Sequence, residues 1–280
     1  MKGFSRRQFL QASGSIVAIP AATSLLFSGC SLQRGTLKIA HNAQLTSWDP
    51  TTGLSSLDAA AQPFYESVFD SFISQHPDLS LRPGMVTDWG WNNDRSKIHL
   101  SLRENAFWHD GAPVTPEDVV WSLERAGSLT GNNPMQFIWS KINNFSISGN
   151  TVIADVKEYE PVIFKWMANL TGYILPRKAY TSIGAEAWEK NPIGSGPYMV
   201  NKFERNRFIH LKAFPQYWGP KPDFERVIIK MLPDAMDRVA ELDNGDCDLA
   251  VHVPYDEFNR LTISSKWEGQ TYPVADIGMI

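Results

Sequence analysis

The sequence predicts a mixed α/β fold of the α+β type, and three observations lead to that expectation. Some segments alternate apolar with polar residues, others repeat apolar residues at helical spacing, and the two kinds are mixed without strict alternation. The chain has 280 residues, of which 43% are hydrophobic and 20% are charged, so it can bury a sizeable core. Wholesale disorder and a protein with many membrane spans are therefore excluded.

Strands are predicted where apolar residues alternate with polar ones or form short runs. Ile98, Leu100 and Leu102 alternate with polar neighbours, which is typical of a half-buried strand. Residues 145–156 are predicted to form a hairpin around a Ser-Gly-Asn turn. Further strands are predicted at residues 37–40, 198–203, 208–214 and 227–229.

Helices are predicted from apolar spacing and from residues that suit helix ends. Residues 58–73 carry an apolar side chain at every fourth position, which predicts one helix. Thr115 and Pro116 fit the N-cap and the first position of a second helix. Asp234 is predicted to cap a third helix that ends at Asn244-Gly245. The buried face of that third helix is predicted to carry Met236, Val239 and Ala240.

The N-terminus predicts a signal peptide. Residues 1–29 contain Lys2, Arg6 and Arg7 but no acidic residue, and their apolar core is too short and too interrupted to span a bilayer. A membrane-anchoring helix is the alternative. The segment Ser-Arg-Arg-Gln-Phe-Leu around Arg6 and Arg7 resembles a twin-arginine export motif, which implies the twin-arginine translocase as a partner.

A second feature of the N-terminus is Cys30, which follows Leu-Phe-Ser-Gly as in a lipobox. Phe27 departs from the usual aliphatic residue at its position. The pattern predicts lipidation of Cys30 and a membrane contact through the lipid, so we expect the periplasm or the outer face of the cytoplasmic membrane as the location. Cleavage elsewhere, with Cys30 incidental, is the alternative.

No arrangement of residues predicts an enzyme, a metal site or a cofactor. His109-Asp110-Gly111 could serve acid–base chemistry, but a turn beside a glycine is the interpretation we favour. Cys247 lies between Asp246 and Asp248, whose charges disfavour a thiolate, so we interpret it as a small structural residue. The net charge of −4 offers no basic field for a nucleic acid.

Five motifs in a fixed order resemble one family. Residues 102–119 are similar to its signature LR-x-G-V-x-F-H-D-G-x-P-x-T-A-x-D-V, from which they depart at Asn105, Trp108 and Pro116. Residues 191–198 resemble NPVGTGPY. The other three are Trp48-Asp49-Pro50, which resembles LDP, then Tyr217-Trp218-Gly219, and residues 242–248, which resemble L-x-x-G-x-x-D. The chain is thereby identified as a member of the extracytoplasmic solute-binding proteins of family 5, which bind peptides or nickel for ABC importers.

The resemblance implies a periplasmic-binding-protein-like type II lobe with a mixed sheet, from which the second lobe is missing. Two lobes of this family close on a ligand by a hinge movement, so this lobe would bind an oligopeptide or dipeptide and deliver it to an ABC permease. The motifs would be scaffold, with Gly194 and Gly196 adopting unusual backbone angles. The ligand-binding residues that the resemblance implies are Gly53, Leu54, Ser55, Ser56, Asn133, Met135, Phe137, His252, Val253 and Pro254. Leu54, Met135 and Phe137 could instead belong to the core.

The resemblance also implies a domain organisation. We expect a signal peptide at 1–29, a lipidated cysteine and tether at 30–36, and a crossover to an absent second lobe at 272–280. Lobe I would occupy residues 37–271, with an inserted subdomain near 50–185. The chain would then be truncated or split, and weak alone. The alternatives are nickel, haem or another small solute as the ligand, and a non-transport scaffold or sensor protein of the envelope.

Overall fold

The computed structural model describes residues 34–51, 56–128, 133, 135–169, 171–264 and 266–271. The predicted signal peptide with Arg6 and Arg7, the lipidation residue Cys30, and the predicted crossover at 272–280 lie outside the described residues.

A five-stranded mixed sheet forms the base of the fold. Its strands follow the order β11-β1-β10-β9-β8, with β1 parallel to both of its neighbours and β9 antiparallel to β8 and β10. This mixture of parallel and antiparallel pairs confirms the predicted fold class. The strands are β1 (Arg34–His41), β8 (Tyr198–Glu204), β9 (Phe208–Ala213), β10 (Phe224–Met231) and β11 (Leu249–Ala250).

A second, antiparallel sheet is formed by residues that lie in sequence between β1 and β8. Its order is β4-β5-β7-β6, and β6 and β7 form the predicted hairpin. Ile98, Leu100 and Leu102 are buried as the alternation predicts. The strands are β4 (Val86–Trp91), β5 (Lys97–Leu102), β6 (Ile142–Ser148) and β7 (Thr151–Val156); β2 (Ser74–Gln75) and β3 (Leu81–Arg82) make a separate small pair.

The helices are mostly short and connect the strands. In chain order they are α1 (Gln62–Val68), α2 (Pro116–Ser128), α3 (Gln136–Trp139), α4 (Ile163–Trp166), α5 (Arg177–Ile183), α6 (Ala185–Lys190), α7 (Ala235–Asn244) and α8 (Tyr255–Ile263).

The first predicted helix is shorter than the apolar spacing indicates. It begins at Gln62 and ends at Val68, and Phe69 is already extended, with φ −119° and ψ 148°. The next residues pair with another segment instead, since the Phe72 N–H donates to the Gly172 carbonyl at 3.0 Å. The prediction was therefore wrong for residues 69–73, because backbone pairing across the fold outweighed local helix periodicity.

The predicted caps of α7 are confirmed, but its buried face is not. The Asp234 carboxylate accepts from the N–H groups of Met236 and Asp237, and Gly245 ends the helix with φ 75°. Met236 is 55% exposed, however, and Ala240 is exposed as well. The buried face is formed by Arg238, Val239 and Leu242. The helix is therefore rotated about its axis relative to the predicted orientation, and a different set of side chains faces the rest of the fold.

Two hydrophobic clusters meet at the chain that leaves α1. Val68 and Phe69 belong to the cluster on the five-stranded sheet. Phe72 and Ile73 belong to the cluster that β5, β7 and α2 enclose. A third, smaller cluster covers the opposite face of the five-stranded sheet. The extended segment after α1 therefore connects the two halves of the lobe.

Candidate functional site

The carboxyl ends of three parallel strands meet at one edge of the five-stranded sheet. The Leu232 N–H donates to the His41 carbonyl at 2.7 Å, and the Val251 N–H donates to the Ala40 carbonyl at 3.1 Å. These bonds tie together the chain segments that leave β1, β10 and β11. Ligands bind outside the carboxyl ends of parallel strands. We therefore take this place as the candidate site and call it the strand edge (residues 41–43, 232–234 and 251–254).

His41 is the last residue of β1, and its ring has a defined tautomer. Its Nδ1 accepts a hydrogen bond from the Ala43 N–H at 3.0 Å, and its ring packs edge-on against Phe64 at 4.8 Å. Burial lowers the pKa of His41 to about 4, and the charges of His252 and Arg238 act in the same direction. His41 is therefore neutral at physiological pH and carries its proton on Nε2, which makes that nitrogen a hydrogen-bond donor.

Arg238 of α7 lies beneath the strand edge, with 3% of its surface exposed. It donates from Nη1 to the carbonyls of Leu232 and Pro233 at 2.6 and 2.8 Å. It also donates from Nε to the carbonyl of Val251 at 2.9 Å and from Nη2 to that of His252 at 2.7 Å. One side chain thus satisfies four carbonyl groups that have left the sheet.

The first predicted ligand segment follows Trp48-Asp49-Pro50. Gly53, Leu54 and Ser55 lie outside the described residues. Ser56 is fully buried, and its carbonyl accepts from the Gln62 side-chain amide at 3.0 Å. Ser56 therefore anchors the end of this segment, and the assignment of the segment to a ligand stays a prediction.

Asp49 fixes the start of the same segment through a buried ion pair with Arg125 of α2. Both oxygens of Asp49 accept from the guanidinium, and only 3% of Asp49 is exposed. The Tyr180 hydroxyl donates to the same carboxylate at 3.1 Å, and the Thr51 N–H does so at 3.0 Å. Burial and the Asp49 charge raise the pKa of Tyr180 to about 12. The motif aspartate is thus an anchor for the loop.

The second predicted segment begins where α2 ends. The Asn133 side chain donates to the Ala126 carbonyl at 2.7 Å and accepts from the Met135 N–H at 3.0 Å, which makes a turn. Met135 is buried in the core, with 6% of its surface exposed. Phe137 is 59% exposed, so its ring is the part of this segment that is free to contact another molecule.

The third predicted segment lies at the strand edge. His252 is exposed and has a positive φ of 53°. Val253 packs against the smallest hydrophobic cluster, and the Pro254 carbonyl accepts from the Phe258 N–H at 2.8 Å in the first turn of α8. The charge of His252 acts to lower the pKa of His41, so the two histidines are within electrostatic reach of each other. Met135 instead belongs to the hydrophobic cluster that β5, β7 and α2 enclose.

Sequence reasoning missed His41, Arg238 and Arg125 as members of this region. A histidine ends the apolar strand 37–40, and a single cation stands beside Val239 on the buried face of α7. A lone charged residue on an apolar helix face is the signal that would have indicated a buried hydrogen-bonding role for Arg238.

Three of the other motifs meet around residues 68–70, namely residues 102–119, residues 191–198 and Tyr217-Trp218-Gly219. The His109 ring contacts Gly194 and Gly196, and the Gly196 N–H donates to the Val68 carbonyl at 2.9 Å. Trp218 Nε1 donates to the Asp70 carboxylate at 3.0 Å. These motifs therefore hold the two halves of the lobe together, and His109-Asp110-Gly111 is a turn, with Gly111 at φ 86°.

The glycines of this junction act through close approach and not through backbone angle. Neither Gly194 nor Gly196 has a positive φ, so the expectation of unusual angles was wrong. A Cβ at position 194 would lie 1.9 Å from the Val68 carbonyl oxygen, and one at position 196 would lie 2.7 Å from the Val68 carbonyl carbon. The chain passes so close to Val68 that only glycine fits.

Asp70 is a buried carboxyl group within the same junction. It accepts from Trp218 Nε1 at 3.0 Å and from the Tyr217 hydroxyl at 3.4 Å, and it is 8% exposed. The Arg103 guanidinium lies over the Trp218 ring at 3.9 Å from its centre. Burial raises the pKa of Asp70 to about 6 in spite of these hydrogen bonds.

The described part of the chain contains one cysteine, Cys247. No three His, Cys, Asp or Glu side chains lie together there as a metal site requires. Cys247 is buried, and burial with the charges of Glu241 and Asp248 raises its thiol pKa to about 11. None of the described helices combines the length and apolar character needed to cross a bilayer.

The mixed sheet, with parallel strands that end together, and the likeness to solved periplasmic binding proteins define a lobe of the periplasmic-binding-protein type II class. The chain belongs to the bacterial extracellular solute-binding proteins, family 5, since the model of the middle region of that family matches residues 80–280. This assignment confirms the resemblance that the motifs indicate.

The curated relatives are binding proteins by name. The chain is 24% identical over 265 residues to the probable D,D-dipeptide-binding periplasmic protein DdpA of Escherichia coli, a match that covers 92% of this chain and 51% of the relative. It is 25% identical to the dipeptide-binding protein of the same organism, with coverage of 86% and 47%. The chain thus spans about half the length of the curated relatives that it matches.

Solved structures give the same fold. NikZ from Campylobacter jejuni, in complex with Ni(L-His), has a TM-score of 0.72 and 25% identity, over 81% of this chain and 45% of that one. The periplasmic binding protein DppA from Helicobacter pylori, in complex with the peptide STSA, has a TM-score of 0.74 and 19% identity, over 83% and 49%. The second likeness establishes the fold alone.

Proposed function

We propose that this chain forms the first lobe of the substrate-binding component of an ABC importer, and that it binds oligopeptides or dipeptides. The ligand would lie between this lobe and a second one, which would supply the opposite wall of the cleft. The observation that carries the proposal is the strand edge, where a neutral hydrogen-bond donor of His41 and the exposed His252 follow parallel strands.

The chemistry of this edge suits a peptide main chain. A neutral Nε2–H donates to a carbonyl oxygen without demanding a charge on the ligand, so varied side chains are tolerated. The exposed Phe137 ring and residues 53–55 would add contacts along the ligand. The residues that would hold the contacting segments in place are Ser56, Asn133, Met135, Val253 and Pro254. Water would fill the remaining gaps between the ligand and the lobe.

Nickel binding by His41 would require the other tautomer of its ring. A metal bound at Nε2 of His41 would need that nitrogen deprotonated, and the proton would then have to sit on Nδ1, which accepts from Ala43. The hydrogen bond would be lost. Peptide binding keeps it, so the tautomer favours a peptide over nickel.

Calorimetry tests the proposal on protein purified from its own host, with a panel of di- and tripeptides and with Ni²⁺ and haem as separate titrants. We expect micromolar or tighter peptide binding in the native preparation and much weaker binding by residues 30–280 expressed alone. If Ni²⁺ or haem binds and peptides do not, the ligand is Ni²⁺ or haem and not a peptide. If no titrant binds, a scaffold or sensor role is favoured. Peptide binding at full strength by the isolated chain would contradict the need for a second lobe.

A pair of histidine variants locates the contact. His252→Ala is expected to weaken peptide binding, whereas His99→Ala serves as the matched control, because His99 lies on the other sheet and pairs with Asp88. Equal affinity in both variants would remove His252 from the site. Co-purification with an ABC permease tests the transport part of the proposal separately.

We propose that the chain reaches the envelope through a twin-arginine signal at residues 1–29 and is anchored by lipid on Cys30. Basic residues without acids precede an uncharged stretch there, and Cys30 follows two small residues. Replacing Arg6 and Arg7 by lysine is expected to retain the protein in the cytoplasm. Palmitate labelling should disappear in Cys30→Ala, and label that survives this change would contradict lipidation.

A further inference from the structure

Arg238 connects two chain segments that belong to different strands. Its four acceptors are the carbonyls of Leu232 and Pro233, which follow β10, and of Val251 and His252, which follow β11. In the sheet, β10 and β11 lie on opposite sides of β1. The guanidinium therefore spans the end of β1 and fixes the distance between the exits of β10 and β11, that is, the chain segments that follow these two strands.

Backbone carbonyls accept the four hydrogen bonds that the Arg238 guanidinium donates. The nearby Asp234 carboxylate also favours the charged form of Arg238, whereas burial lowers the pKa of the guanidinium. A planar group with five donors matches several carbonyls at once, which a lysine ammonium cannot do in the same geometry. These hydrogen bonds are partly buried, and losing them would cost free energy, so the side chain both orders the strand edge and is held by it.

The hydrogen bonds of Arg238 also order the backbone of His252. Its φ of 53° lies in the left-handed region, which non-glycine residues adopt only at a cost in free energy. Its own carbonyl accepts from Arg238 Nη2 at 2.7 Å, which holds the residue in that conformation. The backbone of this exposed residue is thereby ordered before any solute arrives.

We propose that Arg238 is a positioning residue for solute binding: it preorganises His252 and the exits of β10 and β11 without contacting the solute. The proposal rests on the proposed function of the strand edge. Preorganisation raises affinity by removing the ordering cost from the binding step. The loss of Arg238 should therefore appear first as a looser edge and then as weaker binding.

The test compares Arg238→Lys with Arg238→Met and uses Arg260→Lys as the matched control. Arg260 lies on α8, is half exposed, and pairs with Asp243 and Glu257 at the surface. Arg238→Lys keeps the positive charge, so this variant can still be measured if Arg238→Met does not fold. Hydrogen exchange is followed at the amides of residues 251–253 in the solute-free protein, with the amides of β5 and β7 as internal references.

We expect exchange at residues 251–253 to be at least about tenfold faster in Arg238→Lys, while β5 and β7 stay protected. The dissociation constant for the best peptide in the panel should rise about tenfold, with no change in Arg260→Lys. Unchanged hydrogen exchange at residues 251–253 in Arg238→Lys would overturn the proposal. Faster exchange combined with wild-type peptide affinity would also overturn it, because Arg238 would then have a structural role only. If the wild-type protein binds no peptide, the proposed function fails, and the exchange data still decide whether Arg238 orders the edge.

Discussion

The Nδ1 atom of His109 accepts a hydrogen bond from the backbone N–H of Gly194 at 3.1 Å, across 85 residues of sequence. The same ring donates from Nε2 to the Gly196 carbonyl at 3.0 Å, and the His109 N–H donates to the Gly194 carbonyl at 2.8 Å. Two motifs that are separate in the sequence are thus one structural unit. Both ring nitrogens of His109 are engaged with backbone groups, which gives this residue a scaffold role.

His109→Phe is expected to destabilise the lobe by about 3 kcal/mol, because the ring volume is kept while a buried N–H and a carbonyl lose their partner. The free energy of unfolding in urea measures the effect. His99→Gln is the control, since His99 is 39% exposed in its side chain and should change stability by less than about 0.5 kcal/mol. Equal losses in the two variants would show that the His109 contacts do not matter.

His109 should also make the lobe sensitive to acid. Burial lowers its pKa from 6.5 to about 4, so the unfolded chain takes up the proton before the folded one does. The stability is fully present above pH 6.5 and falls by about 3 kcal/mol as the pH drops through 4. His109→Asn should flatten this decline, measured by urea unfolding at several pH values. An NMR titration of the His109 ring near pH 6.5 would contradict it.

Asp70 is expected to act in the opposite direction. Burial raises its pKa from 3.8 to about 6, so the folded state binds a proton that the unfolded state has already lost. Its contribution is present below pH 3.8 and is lost as the pH rises through 6, by up to about 3 kcal/mol. Asp70→Asn removes this titration, so its stability relative to the wild type should improve between pH 4 and pH 7. A difference that does not vary with pH would refute the assignment.

The buried pair of Asp49 and Arg125 should tolerate neither single replacement. Asp49→Asn and Arg125→Met are each expected to cost about 3–5 kcal/mol, since each leaves a partly desolvated charge without its partner. A double-mutant cycle on unfolding free energy measures the coupling. The exposed pair of Glu186 and Lys190 is the control and should contribute about 0.5 kcal/mol or less. Similar coupling energies for both pairs would count against a buried anchor.

Gly194→Ala is expected to destabilise the lobe by about 3 kcal/mol or more, because the added Cβ would meet the Val68 carbonyl oxygen at 1.9 Å. Backbone must move to relieve that contact. Gly35→Ala is the matched control, since no atom lies within 4 Å of the added Cβ there. The melting temperatures of the two variants measure the contrast. A melting temperature of Gly194→Ala equal to that of the control would show that the two segments can separate without cost.

The sequence by itself determined several strands of both sheets, three of the helices at least in part, and the family. Period-two alternation placed Ile98, Leu100 and Leu102 in a strand, Asp234 and Gly245 marked the ends of α7, and the ordered motifs identified the family. These signals are local, because a strand face, a helix cap and a turn each depend on neighbouring residues. The positions of candidate ligand residues, by contrast, came only from resemblance.

Only the tertiary structure decided which distant residues contact one another. Helical spacing continues to Phe72, but backbone pairing with Gly172 extends the chain after Val68. Sequence order gives no sign that Arg238 spans the exits of β10 and β11, or that Gly194 touches Val68. Local sequence patterns do not report such contacts, because their energies depend on burial and distance. Those quantities exist only once the two halves of the lobe have packed.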